Sequence, residues 1–171
     1  TFNAQGQVDH IYNYPHNWRM LDMAICDVEE NGKPWIGIDG GLYRLVEKGG
    51  RLVREEISAL LKPLQEHYIT DILKRGNMVW ITTNMGLFRY DPYLQKLTEY
   101  HHSSAPGALS HMFLTSLAVT SDNLLLVGSL CGVNIYDEQT DTFTAWTTES
   151  AIPLKSDFVD CIRIYQGYIW I

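Results

Sequence analysis

Aromatic rings and planar polar groups lie together in the segments between the apolar runs of this chain. Such a mixture suits a small polar ligand, because a ring offers an apolar face for stacking and the planar polar groups offer directional hydrogen bonds. The residues with this chemistry are Tyr14, His16, Trp18, Arg19, Asp39, Asn84, His101 and His102. They are our predicted ligand-binding residues.

Each of these residues also has a structural interpretation. Asp39 and Asn84 lie just before glycines in turn-like segments, where turn formation alone would explain them. Tyr14 and Trp18 are as well suited to filling loop cores, and Arg19 to pairing with a carboxylate. Adjacent histidines such as His101 and His102 are more often solvated than metal-bound, and no third ligand has suitable spacing. We therefore predict no metal site and no cofactor.

Catalytic chemistry has less support in the sequence. A polysaccharide-cleaving enzyme would need an acid and a base within reach of each other. The sequence does not pair Asp22, Asp39 or Asp157 with one another, so no catalytic residue is assigned.

The composition limits the possible partners. The formal charge of −7 argues against binding to nucleic-acid phosphates, and the chain has no run of Lys and Arg that would suit an anionic membrane surface. No segment has the roughly 18–20 consecutive apolar residues of a membrane helix, and the N-terminal segment lacks a signal-peptide pattern. With 46% hydrophobic and 12% aromatic residues, the chain is predicted to form a packed domain.

The three cysteines carry little functional information. Cys26 and Cys161 fall at one repeated position and are predicted to be small buried apolar residues. Cys131 lies in a predicted turn. None of the spacings is that of a zinc site.

The elements that must position these residues follow from a repeat. Its anchors are Trp35, Trp80, Leu126 and Trp170, at steps of 45, 46 and 44 residues (35 to 80, 80 to 126, 126 to 170). The first three anchors are each followed six residues later by a glycine and an aliphatic residue, at positions 41–42, 86–87 and 132–133. The structural repeat positions are therefore Trp35, Gly41, Leu42, Trp80, Gly86, Leu87, Leu126, Gly132 and Trp170. A period of this length indicates a stacked or circular repeat fold.

A second pair of positions recurs upstream of the anchors. We assign it to Met23 and Cys26, Ile69 and Ile72, Leu114 and Leu117, and Phe158 and Cys161. Each copy then divides into four short runs separated by turns, which predicts an all-β fold of four-stranded antiparallel β-propeller blades. Trp35 and Trp80 are expected to wedge between successive blades.

The predicted organisation is about three complete blades with partial blades at both ends, as a sector of a larger propeller. The divisions are 1–22 (outer strand of a preceding blade, and loop), 23–54 (blade), 55–68 (inter-blade loop or short helix), 69–100 (blade), 101–113 (loop), 114–146 (blade) and 147–171 (loop and start of the next blade). Helical spacing of apolar residues predicts a short helix within 55–66. Exposed blade faces would favour dimerisation or further blades.

The pattern resembles the two-component regulator propeller repeat. The matching residues are Gly32, Trp35, Ile36, Gly37, Gly41 and Leu42 in the first copy, Trp80, Ile81, Thr83, Gly86, Leu87, Tyr90 and Asp91 in the second, and Gly128, Gly132, Tyr136 and Asp137 in the third. The departures are Ile38, Leu126 and the shortened turn at 74–77. The resemblance covers most of the chain.

The resemblance implies a sensor. Such propellers form the periplasmic or extracytoplasmic part of membrane-anchored bacterial hybrid two-component proteins, and many respond to breakdown products of polysaccharides. This chain would then be a non-catalytic, ligand-recognising part of a protein whose histidine kinase lies elsewhere. Its expected partners are an oligosaccharide, other blades of the parent propeller and a second copy of the sensor, with no nucleic acid and no direct membrane contact. A protein-interaction or architectural propeller remains the alternative, followed by a polysaccharide-cleaving propeller.

Propeller topology predicts where a ligand binds. One rim would collect the loops at 14–22, 55–67, 101–111 and 147–157, together with Asp39, Asn84 and Leu130.

Overall fold

The chain folds into consecutive antiparallel β-sheets. The structure is a computed structural model, and it describes residues 24–28, 34–38, 41–49, 51–56, 63–64 and 67–171. Blade 1 comprises β1 (Ala24–Val28), β2 (Pro34–Ile38), β3 (Gly41–Lys48) and β4 (Arg51–Glu56). Blade 2 comprises β5 (Ile69–Arg75), β6 (Met78–Thr83), β7 (Gly86–Asp91) and β8 (Lys96–Tyr100). Blade 3 comprises β9 (Leu114–Val119), β10 (Leu125–Ser129), β11 (Gly132–Asp137) and β12 (Thr142–Trp146), and β13 (Arg163–Tyr165) and β14 (Tyr168–Trp170) form a hairpin.

Every sheet is a meander in which each strand pairs with the next one along the chain. The first strands of successive blades lie beside one another, β1 next to β5 and β5 next to β9. Four-stranded antiparallel sheets stacked in this way are propeller blades. The predicted all-β propeller fold is confirmed.

Both faces of blade 2 are buried. Because side chains alternate across a strand, neighbouring residues of β6 face different blades. Val79 and Ile81 belong to the apolar core shared with Trp35 and Leu42 of blade 1. Trp80, between them in sequence, belongs to the core shared with blade 3. This two-sided burial explains why β6 and β10 read as continuous apolar runs rather than as alternating patterns.

A tryptophan and an arginine occupy the junction between blades 1 and 2. Trp35 on β2 and Arg44 on β3 are direct cross-strand partners. The guanidinium carbon lies 5.4 Å from the centre of the indole ring, and Tyr90 of blade 2 meets that ring edge-on, with 6.2 Å between ring centres. The next blade therefore contributes an aromatic edge to a cation-capped ring.

The same arrangement recurs between blades 2 and 3. Trp80 and Arg89 are cross-strand partners, the Arg89 guanidinium lies 5.5 Å from the indole centre, and Tyr136 of blade 3 meets Trp80 at 4.8 Å between ring centres. Arg89 also donates to the Tyr136 hydroxyl over 2.6 Å and forms an ion pair with Asp141 at 3.2 Å. Tyr100 and Tyr136 each donate a hydrogen bond of 2.6 Å to Asp141.

Arg89, Tyr100, Tyr136 and Asp141 form a cluster, which we call the Asp141 cluster, and their contacts shift the pKa values of its carboxyl and phenol groups. Burial acts to raise the pKa of Asp141, but the two tyrosine hydroxyls and the Arg89 charge outweigh it and hold that pKa below its usual value. Burial, together with the hydrogen bond to Asp141, raises the pKa of Tyr100. The charged carboxylate and the neutral phenols are thus the forms that the folded state favours.

The third junction lies between blade 3 and the segment that leads into the β13–β14 hairpin. It has aliphatic side chains where the other two junctions have a tryptophan and an arginine. Leu126 and Ile135 occupy the cross-strand positions held by tryptophan and arginine in the other blades. They pack in a core with Val133, Val159 and Ile162. The departure at Leu126 thus leaves the propeller geometry intact.

The predicted bounds of the short helix in 55–66 are wrong at the start, where Glu55 and Glu56 belong to β4, and the helix itself stays a prediction. Glu55 and Glu56 extend β4 beyond the predicted strand end, paired with Arg44 and Tyr43. Pro63 and Leu64 form one short turn, and Leu64 is fully buried in the core between blades 1 and 2. Residues 57–62 and 65–66 lie outside the described residues, as does the predicted outer strand within 1–22.

The assignment of the repeat in the fourth copy is also wrong, by one residue. Phe158 is 59% exposed and Cys161 is exposed, whereas Val159 and Ile162 are fully buried. These two residues precede Trp170 by 11 and 8 positions, as Ile69 and Ile72 precede Trp80 (170 − 159 and 80 − 69; 170 − 162 and 80 − 72). The fourth copy therefore follows the spacing of the second, because the two share the shorter turn after the first strand.

Not every predicted repeat position is buried. Trp35 and Trp80 are each 1% exposed and Leu126 is 2% exposed, as expected for residues between blades. Trp170 is 60% exposed, because the open face of the β13–β14 hairpin carries no further sheet in the described structure.

The contrast between two tryptophans gives a matched test of the blade junction. Trp80→Ala should lower the free energy of unfolding by about 3–5 kcal/mol, since it empties a filled core site. Trp170→Ala should change it by no more than about 0.5 kcal/mol, as for other surface residues. Urea denaturation of both variants checks this, and equal losses would contradict the assigned burial.

The Asp141 cluster predicts a defined pH dependence. A carboxylate with a lowered pKa stabilises the fold above its unfolded pKa of about 3.9 and loses that effect as the pH falls through the folded value. Asp141→Asn should therefore be less stable than the parent chain near neutral pH, and the difference should shrink below about pH 4. Denaturant titrations across this range test it; a constant difference would contradict the cluster.

Candidate functional site on the loop rim

The loops that join one blade to the next lie at one end of the sheets. We call this end the loop rim: residues 67–68, 101–113 and 147–158, with the turns at 84–85 and 130–131. Backbone hydrogen bonds hold it together, since Asn84 N donates to Tyr68 O over 3.1 Å and Leu130 N donates to Phe113 O over 3.4 Å. In blades 2 and 3, the turn between strands two and three is thus tied to the residue before the first strand.

A hydroxyl closes each of these turns. Thr83 Oγ1 donates to Gly86 O and accepts from Met85 N, over 2.9 and 3.1 Å. Ser129 does the same with Gly132 O and Cys131 N. Gly86 and Gly132 have φ of +145° and +87°, and a Cβ on Gly86 would lie 2.6 Å from Tyr100 O. The repeated glycine therefore sets the turn geometry and is not itself a ligand contact.

The 101–113 loop is fixed by a buried amide. Asn134, fully buried on β11, accepts a hydrogen bond of 2.7 Å from Ser110 N and donates to Val127 O over 3.3 Å. Ser110 Oγ lies 3.1 Å from Ser129 Oγ, and Leu109 inserts into the core between blades 2 and 3. These contacts give the loop a defined conformation from which it can present side chains.

Two imidazoles face each other on this loop. The rings of His102 and His111 are 6.3 Å apart between centres. His102 Nδ1 lies 2.8 Å from Leu109 O, which can only accept, so this nitrogen carries the proton. His111 Nδ1 accepts from Phe113 N over 2.9 Å, so it is unprotonated. In the neutral rings, His102 thus offers an acceptor and His111 a donor at Nε2, a pair suited to a hydroxyl.

Three aromatic residues missed in the sequence analysis lie on this rim. Tyr68, Phe113 and Phe158 are 54%, 38% and 59% exposed. Each directly precedes the first buried residue of its repeat, which is Ile69, Leu114 or Val159. We call the segments that begin at these buried residues the inner segments. They are spaced by 45 and 45 residues (68 to 113, 113 to 158). The signal was present in the sequence, but assigning Phe158 to a buried position concealed it.

The predicted binding residues fall into three groups. Tyr14, His16, Trp18, Arg19 and Asp39 lie outside the described residues. Asn84 supports the rim, because its Oδ1 accepts a hydrogen bond of 2.9 Å from Tyr68 N. His101 and His102 are on the rim and exposed, with His101 Nε2 3.3 Å from a carboxylate oxygen of Glu99.

Formal charge is sparse on this rim. The 101–113 loop has three histidines and no Asp, Glu, Lys or Arg, and the two turns have no charged residue. The 147–158 loop contributes Glu149, Lys155 and Asp157. Both oxygens of Asp157 accept hydrogen bonds from Thr148, over 2.7 and 3.0 Å, so this carboxylate holds the loop.

A cavity of about 370 Å³ lies at the opposite end of the sheets, which we call the turn rim. It is lined by Trp35, Lys74, Asn77, Val79, Pro92 and Tyr93. Tyr93, in the turn between β7 and β8, is 91% exposed. The turn rim is thus a second place where an aromatic ring lies beside polar groups.

The described residues contain no group of three or more His, Cys, Asp or Glu that could hold a metal ion. Over the same residues, no helix is long and apolar enough to cross a bilayer.

Solved structures with this arrangement of sheets include two extracellular domains from B. thetaiotaomicron. One, of the putative hybrid two component system BT3049, matches 82% of the chain with a TM-score of 0.64 and 19% identity. The other, of the putative hybrid two component system BT4673, matches 84% with a TM-score of 0.62 and 20% identity. The fold is that of these extracellular domains. The chain spans 20% and 19% of their lengths.

A catalytically inactive H270A virginiamycin B lyase from Staphylococcus aureus, solved with quinupristin, also matches. It aligns with 88% of this chain and 49% of its own length, with a TM-score of 0.60 and 13% identity. The fold is therefore found in an enzyme as well as in two-component proteins. No family model and no curated protein matches the chain.

The buried amide of Asn134 gives a test of how the loop rim is held. Asn134→Ala should cost about 1–3 kcal/mol, because Ser110 N and Val127 O lose their partners. It should also speed hydrogen exchange at the Ser110 amide. Ser110→Ala, which keeps that amide bond, is the control; equally fast Ser110 exchange in the parent chain and Asn134→Ala would contradict the anchoring role.

Proposed function

We propose that this chain is part of the sensing propeller of a bacterial hybrid two-component protein and recognises a breakdown product of a poly- or oligosaccharide. The chain itself is non-catalytic on this proposal, and it controls a histidine kinase elsewhere in the parent chain. It then lies in the periplasm or elsewhere outside the cytoplasm, as part of a membrane-anchored protein.

The fold is the observation that carries the sensor role. Extracellular domains of two hybrid two-component systems match more than four fifths of the chain, at 82% and 84%. The repeat resemblance in the sequence points to the same class of protein independently of the sheet geometry. Together they favour a sensor over an unrelated propeller.

The chemistry of the loop rim supports the ligand class. It combines exposed aromatic rings, imidazoles with opposite hydrogen-bonding roles and little formal charge. Sugars need ring faces and directional hydrogen bonds more than charge. The enzymatic alternative loses one of its acidic residues, because Asp157 is engaged at both oxygens by Thr148.

The proposed macromolecular partners are further blades and a second copy of the sensor. The β13–β14 hairpin exposes Tyr165, Tyr168 and Trp170 at 62%, 70% and 60%. Aromatic side chains on one face of a sheet are suited to packing against another sheet.

Binding of oligosaccharides is the direct test. Isothermal titration calorimetry of the chain against a panel of hexasaccharides cut from plant and host polysaccharides should give saturable heat with at least one member. Cleavage of that member, monitored by chromatography, should not occur. Absence of binding across the panel would contradict the ligand class, and turnover would contradict the non-catalytic role.

A further inference from the structure

We infer that Tyr68, Phe113 and Phe158 form a stacking site for an uncharged oligosaccharide, with one ring contributed by each of three successive repeats. This inference rests on the proposed function and specifies the residues and the class of sugar.

The first argument is positional. The three aromatic residues occupy one register position, directly before Ile69, Leu114 and Val159, which are 4%, 0% and 0% exposed. Burial of those residues fixes the start of each inner segment, and the exposed residue before it lies on the loop rim. A single exposed ring would be ordinary for a surface, but three at intervals of 45 residues form a pattern (68, 113, 158).

The second argument is that their backbones are already ordered. Tyr68 is held by Asn84 through two hydrogen bonds, at N and at O. Phe113 N donates to His111 Nδ1 and Phe113 O accepts from Leu130 N. Phe158 N donates to Ser156 Oγ over 3.1 Å. Rings on fixed backbones lose little conformational entropy on binding.

The third argument is that the three segments behind the rings are bonded to one another. Asp71 Oδ2 on β5 accepts from Leu117 N on β9 over 2.8 Å. Thr115 Oγ1 on β9 donates to Val159 O over 2.7 Å. The inner segments of the three repeats are therefore bonded to one another in succession, and the residues that directly precede them lie at the same end of the sheets. Tyr68, Phe113 and Phe158 are 54%, 38% and 59% exposed, so each has surface that a ligand can contact.

The fourth argument selects an uncharged sugar. Sulfate and carboxylate groups are bound best by arginine, whose planar fork makes paired hydrogen bonds. The described loop rim has no arginine, and its one lysine, Lys155, is accompanied by Glu149 and Asp157. The His102–His111 pair beside Phe113 supplies instead one acceptor and one donor, which match a hydroxyl.

A protein partner is the competing occupant. Met85 and Met112 are 43% and 44% exposed on the same rim and would enlarge an apolar contact. We favour the sugar because the rings are distributed one per repeat and the His102–His111 pair beside Phe113 adds directional hydrogen-bonding groups.

Calorimetry of the intact chain with matched hexasaccharides tests the site. Uncharged glucose, mannose and xylose hexamers are compared with uronate hexamers. The uncharged class should bind, and Tyr68→Ala, Phe113→Ala and Phe158→Ala should each weaken binding about tenfold. Phe113→Tyr should retain binding. Near-UV circular dichroism should be unchanged, because the substituted side chains are exposed.

Tyr93→Ala is the matched control, since Tyr93 is an exposed aromatic residue in an anchored turn on the turn rim. It should leave the affinity unchanged. If Tyr93→Ala weakens binding and the three rim variants do not, the site is at the turn-rim cavity and the inference is wrong. Tighter binding of uronates also overturns it. Binding that survives all three rim substitutions overturns the inference alone, whereas no binding by the parent chain refutes the sugar class of the proposed function.

Discussion

The structure depends on one constraint: a sheet that is apolar on both faces needs a neighbour on each. In blade 2, Trp80 packs against blade 3 and Val79 packs against blade 1, although the two residues are adjacent on β6. Arg89 is paired with Trp80 because the cross-strand position is the one that lies over the indole ring. Arg89 is tolerated there because Tyr136 and Asp141 of the next blade accept its hydrogen bonds.

The packing of the sheets against one another determines where the residues of the loop rim lie. Stacked sheets place their first strands side by side, so the residues that precede these strands lie at the same end of the sheets. Tyr68 and Phe113 have the same backbone contact to a turn, but only Asn84 adds a side-chain bond, since Leu130 cannot. The fold thus repeats the backbone contact while the side chains at the turn differ.

The sequence predicted the parts of this fold that are periodic. Trp35, Trp80 and Leu126 marked the strands correctly because each must fill an inter-blade core. The errors arose where local pattern and packing disagree. Glu55 and Glu56 suit a helix start, yet β4 continues through them because β3 supplies strand partners. Phe158 looked like a core residue, and only burial of Val159 shows that it is not. Contacts between blades, such as that of Arg89 with Asp141, join residues too distant in sequence for a local pattern to reveal.

The three junctions are held by different kinds of contact, and this affects how binding at the loop rim could alter the packing between blades. The junctions containing Trp35 and Trp80 combine ring contacts with a cation, and sliding the second would break directional hydrogen bonds to Asp141. The fully buried residues of the junction containing Leu126 are aliphatic, and hydrophobic contact has little directionality. It is held at its inner end by hydrogen bonds of Val159 to Ser129 and Thr115. Phe158 directly precedes that residue. A ligand stacked on Phe158, as we infer, therefore binds next to the residue whose hydrogen bonds hold this junction at its inner end.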